Sequence, residues 1–346
     1  NRAGHTQVWN SPFASRETDM RILRPALAAL LLFAQPAAAE TPITWELIDE
    51  YPATAIPGEA DLYFASEVAR LTRGALVIAP SPGAKSGLRS KDQLAAVADG
   101  RYAMANSFGG ALGGESPVFL LSSLPFVTAS AADAQRLFET ARPLYEKLFA
   151  ERNQKLVFVT PWPPSGIWSA KAVDGPAALK ALKIRTYDQT GTEMFKTVST
   201  AASVVSYADL TPKLESGEID AVLSSGDGGA GRQLWKYLPH FSEITYAVPL
   251  SFGTVSLQKW NALDPPLKDA VMAAGEATTR HQWEALQGRV SENYARMRDN
   301  GVTIATQPPA AVMAELRNAS EATLADWRRS AGPEAARVLD GFLAGR

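Results

Sequence analysis

Along residues 41–51, with ITWELIDEY at their core, apolar and polar positions alternate in the period-two pattern of a half-buried strand. Residues 57–72 switch to helical spacing, opened by Pro57 and closed by Gly74, and residues 75–79 return to a strand. A helix over 92–98 stops at Gly100 and leads into a strand over 102–107. An apolar stretch (117–126), a helix (131–152) and a strand (156–160) complete the first half. Strands alternating with helices in this way predict an α/β fold with mostly parallel pairing.

The pattern then recurs. A short helix over 179–182 runs into a strand over 183–187, and a helix over 208–215 stops at Gly217 before a strand over 219–225. The stretches LAAVADGRYAMANS and PKLESGEIDAVLSS each read as a helix, a glycine stop and a strand ending in small polar residues. They predict equivalent units in two lobes. Open α/β sheets bind ligands beyond the carboxyl ends of their strands. Ser107, Phe108, Ser224 and Ser225 are therefore expected near a shared cleft, with Tyr51 at another strand end of the first lobe. Asp264-Pro265 is an N-cap followed by proline, and the helix it opens can run to Asp299 before Asn300-Gly301 ends it. At ~1.5 Å per residue that is roughly 50 Å, enough to lie across both lobes. A short strand over 302–306 and helices over 310–329 and 333–344 close the chain. No low-complexity linker separates the lobes, so the chain is expected to cross between them more than once.

Composition narrows the chemistry. The 346 residues are 46% hydrophobic and 20% charged, long enough for two lobes with their own cores. There is no cysteine, which removes thiol catalysis, disulfides and cysteine-ligated metals. Histidine occurs only at His5, His240 and His281; the last two read as packing or surface residues, and no metal or other cofactor is called for. No basic stripe marks a nucleic-acid surface. Residues 20–39 carry Arg21 and Arg24, an apolar run over 26–33 and a small-residue site at Ala37-Ala38-Ala39, the layout of a secretory signal. That apolar run is too short to span a bilayer. Met20 is then the expected start, with residues 1–19 as upstream sequence. Removing residues 1–39 leaves 34 − 4 = 30 basic against 36 − 2 = 34 acidic residues, so the net charge moves from −2 to −4. The expected product is a soluble, exported chain.

The segment AALKALKIRTYDQTG, residues 177–191, holds the most pointed chemistry. Its strand presents Arg185 beside Tyr187, Asp188 and Gln189. A guanidinium at a strand end can read a carboxylate through two parallel charge-assisted hydrogen bonds, which a lysine cannot copy. The bland use of such an arginine is a surface ion pair of little energetic value. Asp188 is a candidate acceptor for ligand hydroxyls, and Asp227 a lesser one. The glycine-rich run SSGDGGAG, residues 224–231, reads as an amide-rich loop at a cleft edge, without the lysine of a phosphate-binding loop.

In order and spacing, LKALKIRTYDQTGTEMF, SYADLTPKLESGEIDAVLSS, SSLPF at 122–126 and VSLQKWNALDPPLKDAV at 255–271 resemble one known family. It is the periplasmic solute-binding proteins of tripartite ATP-independent periplasmic (TRAP) transporters, DctP type, and the resemblance runs from Ile43 to about Arg329. It implies a two-lobed periplasmic binding protein fold with crossing strands and a long helix spanning both lobes. Residues 40–161 and 251–290 would form lobe I, and 162–250 with 291–346 lobe II, after the upstream residues and signal of 1–39. The resemblance places the family's carboxylate-binding arginine on Arg185 and a cleft aromatic on Tyr207. A position often held by asparagine falls near Ser224 or Ser225, where Asp220-Ala221 stands in place of the family's Asp-Gly pair. Phe108 and Phe252 fall near the cleft by the same alignment, and Tyr187 by its nearness to Arg185. Trp162 and Trp168 flank the rigid Pro163-Pro164-Ser165-Gly166 stretch at the first crossing; Trp162 leans to the pocket, and Trp168 to pocket or core equally. Tyr51 and Ser107 are expected to make polar contact with the ligand. Ser165 stands near the place where many relatives carry a second arginine. One cation in place of two implies a monocarboxylate, and several aromatics suit a flat or apolar acid.

The function implied is non-enzymatic. A monomeric periplasmic receptor traps a small-molecule carboxylate and delivers it to TRAP membrane subunits. The alternative is a secreted enzyme acting on a small carboxylic acid, although no nucleophile–base arrangement or motif-spaced carboxylate pair points to one. A ligand-binding module of a sensor is a third reading.

Overall fold

The structure is a computed structural model that describes residues 41–345; the expected signal at 20–39 lies outside the described residues. In chain order the first half runs β1 (Ile43–Asp49), α1 (Ile56–Thr72), β2 (Leu76–Ser81), α2 (Ser90–Ala98), β3 (Met104–Phe108), α3 (Ala131–Ala150) and β4 (Gln154–Pro161). Then come β5 (Ser165–Ser169), α4 (Pro176–Lys180), β6 (Lys183–Thr186), α5 (Gln189–Val198), β7 (Ala201–Val204), α6 (Leu210–Glu215), β8 (Ala221–Ser225), α7 (Gly226–Gly231) and β9 (His240–Ser242). The chain ends with β10 (Leu250–Ser256), α8 (Leu257–Asn261), α9 (Pro265–Asp299), β11 (Thr303–Ala305) and α10 (Ala310–Ala344).

Local chemistry sets the boundaries. Pro57 pre-sets the first turn of α1, and Ile56, Ala60, Phe64 and Val68 recur on its buried face. Arg73 in the left-handed region and Gly74 at φ +81 end that helix. The Ser130 side chain accepts from the Asp133 amide to start α3, and Asp264 does the same for α9 through Leu267 N.

Two sheets organise the molecule, one ordered β2-β1-β3-β10-β4 and the other β11-β9-β5-β8-β6-β7. Within the βα runs the pairing is parallel, as in β1 with β2 and β3, and β6 with β7 and β8. The expectation of mostly parallel pairing fails at β10 and β5, which run antiparallel to both of their neighbours. These two strands arrive by direct crossing from the other sheet, so no helix turns the chain back to a parallel start. The repeat seen in sequence is a topological one. β3 lies between parallel β1 and antiparallel β10, and β8 lies between parallel β6 and antiparallel β5.

The crossings at residues 161–165 and 242–250 bond to one another. Trp162 N donates to Pro249 O, Ser165 N to Ala247 O, and Tyr246 N to Ser165 O, each at 2.9 Å. The 35-residue α9 packs on α1 and β4 at the first sheet and on α7 at the second. α10 likewise touches α4 and α5 on one side and α3 on the other. Its helical path breaks at Gly332, φ 85, before Pro333.

α9 can lie flat on β4 because residue 275 has no side chain. A Cβ there would sit 2.3 Å from the Val157 carbonyl oxygen. Backbone cannot yield as a flexible side chain does, so Gly275→Val should destabilise the fold by about 1–3 kcal/mol or more in urea denaturation. An unchanged midpoint would show that this contact is not a constraint.

Candidate functional site

Arg185 sits in β6 between Val222 of β8 and Ser203 of β7, and only 3% of it is exposed. Its Nε donates to Val205 O at 2.7 Å and its Nη1 to Leu223 O at 3.2 Å. Among the described residues no carboxylate forms an ion pair with it. Burial pushes its pKa below the usual arginine value, while Tyr51 and then Glu50 pull it up. An arginine keeps its charge even so. Arg185 borders two voids between the sheets.

The first void is a narrow chamber of about 20 Å³, lined by Tyr51, Phe108, Trp162, Ser165, Arg185, Tyr187, Tyr207, Ser224 and Ser225 among others. The second is a cavity of about 650 Å³ that shares Tyr51, Phe108, Arg185, Tyr187 and Tyr207 and adds Glu50 and Asp188. It extends outward past Gly114 to Trp327 of α10. The walls come from both sheets and meet ring to ring. Tyr51 lies 4.5 Å from Tyr207 and 4.6 Å from Trp162, and Phe108 lies 5.2 Å from Tyr187 edge-on. Burial raises the Tyr51 and Tyr187 hydroxyl pKa values well above the usual range, so both phenols stay protonated. A protonated phenol can donate to a carboxylate oxygen.

Three residues expected at the cleft are elsewhere, and strand periodicity explains each. Successive side chains of a strand point to opposite faces. Phe108 faces the cavity, so Ser107 turns away and donates to Gln93 Oε1 at 2.7 Å under α2. Phe252 pairs directly with Ser107 and shares its face, where its ring packs among Phe119, Tyr145 and Phe149. Ser165 lines the chamber; Trp168, three residues on, points to the opposite side of β5, against Phe241 and Gly229. The Trp168 indole donates to Ser225 O at 3.2 Å.

The two aspartates also have other work. Asp188 borders the larger cavity, but its Oδ1 accepts from Gly191 N at 2.8 Å and Thr190 Oγ1 at 3.0 Å, capping α5. Its Oδ2 takes the Ser123 hydroxyl from the first lobe. Asp227 accepts from Ile56 N at 2.8 Å and from Arg289 Nε at 2.6 Å, tying the start of α1 to α9. The glycine run is not a loop; it forms α7, capped by Ser225 Oγ accepting from Gly228 N. Its glycines permit contact, since a Cβ at residue 231 would lie 2.6 Å from the Tyr207 hydroxyl.

Glu50 escaped the sequence reading. It is 2% exposed and lines the larger cavity, with Oε1 accepting from Ala208 N at 2.9 Å and Oε2 from Ser90 N at 2.8 Å. The strand-end rule that pointed to Tyr51 applies equally to its neighbour. Ala208 lies across the cleft, as does Asp209, whose Oδ1 meets Arg89 Nη2 at 2.6 Å. With Ser123 and Asp188, these contacts join the lobes around the cavity.

This geometry has known counterparts. Residues 50–330 match the family model described as bacterial extracellular solute-binding protein, family 7, DctP. The chain belongs to that family, the solute-binding receptors of TRAP transporters. It is similar to DctP7, a Bordetella pertussis extracytoplasmic solute receptor binding pyroglutamic acid, at 26% identity and TM-score 0.83, over 87% of this chain and 99% of that one. DctP6 of the same organism, also a pyroglutamic acid receptor, matches at 25% identity and TM-score 0.82 with the same coverage. A TRAP periplasmic solute-binding protein from Chromohalobacter salexigens with bound D-glucuronate shares the fold at 19% identity and TM-score 0.78, over 87% of this chain and 100% of that one. No curated protein matches the chain. Among the described residues, no helix is long and apolar enough to cross a membrane.

The Asp188 carboxyl is pushed up from 3.8 to about 6, chiefly by burial, against the pull of Ser123, Gly191 and Thr190. A carboxyl that holds its proton more tightly when folded stabilises the fold fully below its unfolded pKa, and that contribution is lost as pH rises through the folded value. The interval from 3.8 to about 6 corresponds to about 3 kcal/mol. Asp188→Asn keeps an acceptor for the α5 cap and removes the titration. Between pH 4 and 6 the wild type should therefore lose about 2 kcal/mol of that relative to the variant in urea denaturation. Superimposable pH profiles would contradict this.

Proposed function

We propose that this receptor closes two lobes on a small monocarboxylate and presents it to the membrane subunits of a TRAP transporter. Residues 40–161 and 251–290 act as one lobe and 162–250 with 291–346 as the other, after export directed by residues 20–39, and the receptor works as a monomer. The observation that carries the ligand class is Arg185, a buried guanidinium with two backbone acceptors and no ion-paired carboxylate among the described residues. A ligand carboxylate is the partner that completes it.

The surrounding residues support one carboxylate rather than two. Ser165, where a second arginine would stand in many relatives, is a buried hydroxyl in the chamber wall. Lys91 is exposed at the rim of the larger cavity, and Glu50 and Asp188 add negative charge inside it. A second carboxylate on the ligand would meet anions. The aromatic walls favour a compact ring, and pyroglutamic acid, bound by the two Bordetella pertussis receptors, is a cyclic acid with a single carboxylate. Non-enzymatic capture is the reading the family favours.

Thermal-shift screening of small carboxylates should raise the melting temperature with monocarboxylates and return them unchanged. Truncating Arg185 leaves a desolvated carboxylate unpaired, a loss of about 3–5 kcal/mol. Arg185→Ala should therefore abolish calorimetric binding of whichever acid the wild type takes. Affinity retained within roughly tenfold would refute the assignment.

A further inference from the structure

Two opposite charges line one cavity without touching. Arg185 and Glu50 are 3% and 2% exposed, both border the larger void, and no ion pair joins them. Unlike charges in a low-dielectric space attract strongly, so something must hold them apart. Backbone groups do so. The carbonyls of Val205 and Leu223 hold the guanidinium, and the amides of Ser90 and Ala208 hold the carboxylate. A carboxylate offers about four acceptor positions, and two of those on Glu50 are filled.

Among the described residues no cation pairs with Glu50. Arg89 is bound to Asp209, and Lys91 stands exposed at the rim. Asp188 has its own donors in Gly191, Thr190 and Ser123. The cavity therefore has an unfilled donor at Arg185 and an unfilled acceptor at Glu50. A simple monocarboxylate answers the first and leaves the second as a buried anion beside a new anion. A ligand with its own N–H answers both, and an ammonium would also restore neutrality.

We propose that Glu50 is the second anchor of the ligand. It accepts a hydrogen bond from an N–H group, and the solute is an amino acid, or a cyclic amide of one, with a single carboxylate. The inference rests on the carboxylate reading of Arg185 and narrows it.

Five-membered ring acids of one shape test this. L-Proline and L-pyroglutamate carry the N–H; cyclopentanecarboxylate and tetrahydrofuran-2-carboxylate do not. In competition binding or calorimetry the wild type should prefer at least one nitrogen-bearing acid over its analogues by roughly ten- to a hundredfold, the range of a hydrogen bond to a charged group. Glu50→Gln exchanges one of the two oxygens for an NH2 that cannot accept, and one backbone amide claims the oxygen that remains, so the preference should shrink to roughly threefold or less. Looser closure would weaken every acid alike, so the ratio isolates N–H recognition from a structural effect. No preference in the wild type, no binding of either nitrogen-bearing acid, or an unchanged ratio in Glu50→Gln would overturn the proposal. If Arg185→Ala abolishes binding while Glu50→Gln leaves the ratio intact, only the Glu50 anchor falls. If Arg185→Ala leaves affinities unchanged, the carboxylate reading falls with it.

Discussion

A guanidinium taken out of water must recover its hydrogen bonds or bring an anion with it. Arg185 recovers two, from backbone carbonyls at the ends of neighbouring segments, and it lines the chamber between the lobes. Everything around it serves that half-completed state. β7 and β8 flank the strand and fix its backbone, aromatic rings from both lobes exclude water, and the first lobe supplies no ion-paired partner. In the proposed reading an acid's carboxylate completes that fork, and affinity comes from those hydrogen bonds rather than from any wide contact area.

Closure and recognition share parts. Glu50 takes an amide from each lobe, and Ser123 reaches across to the cap of α5. The ring contacts of Tyr51 with Tyr207, and of Phe108 with Tyr187, also span the gap. In the proposed reading, a ligand that fills the cavity biases the lobes toward the arrangement in which these contacts coexist. Differential affinity of this kind is what shifts a two-state equilibrium.

Much of this was legible in the chain. Helix starts and stops at Pro57, Gly74 and Asp264, and the break between helices over 310–329 and 333–344, follow from local chemistry, and the long helix and the position of Arg185 emerged from spacing and resemblance. Side-chain direction was harder. Ser107 and Phe108 were both placed at the cleft, although a strand can turn only one of them inward, and Phe252 followed Ser107 to the wrong face through pairing invisible in one sequence. The glycine run 226–231 read as a loop because its helical form depends on tertiary contact with α9 and Trp168. Glu50 was passed over because a glutamate at a strand end ordinarily faces solvent; only the fold shows two amides converging on it.

The paired crossings carry one more consequence. Because residues 162–165 are hydrogen-bonded to 246–249, the two connections form a single ribbon rather than two independent tethers. A ribbon bends and twists easily but resists shear, since sliding one strand past the other would break its ladder. The lobes are thus left with swinging and twisting motions and denied translation along the cleft. Trp162, whose indole bonds Ser251 at the ribbon's edge, rides at the pivot. Its surroundings therefore follow the angle between the lobes, and with translation denied that one angle also sets how far apart their outer rims stand.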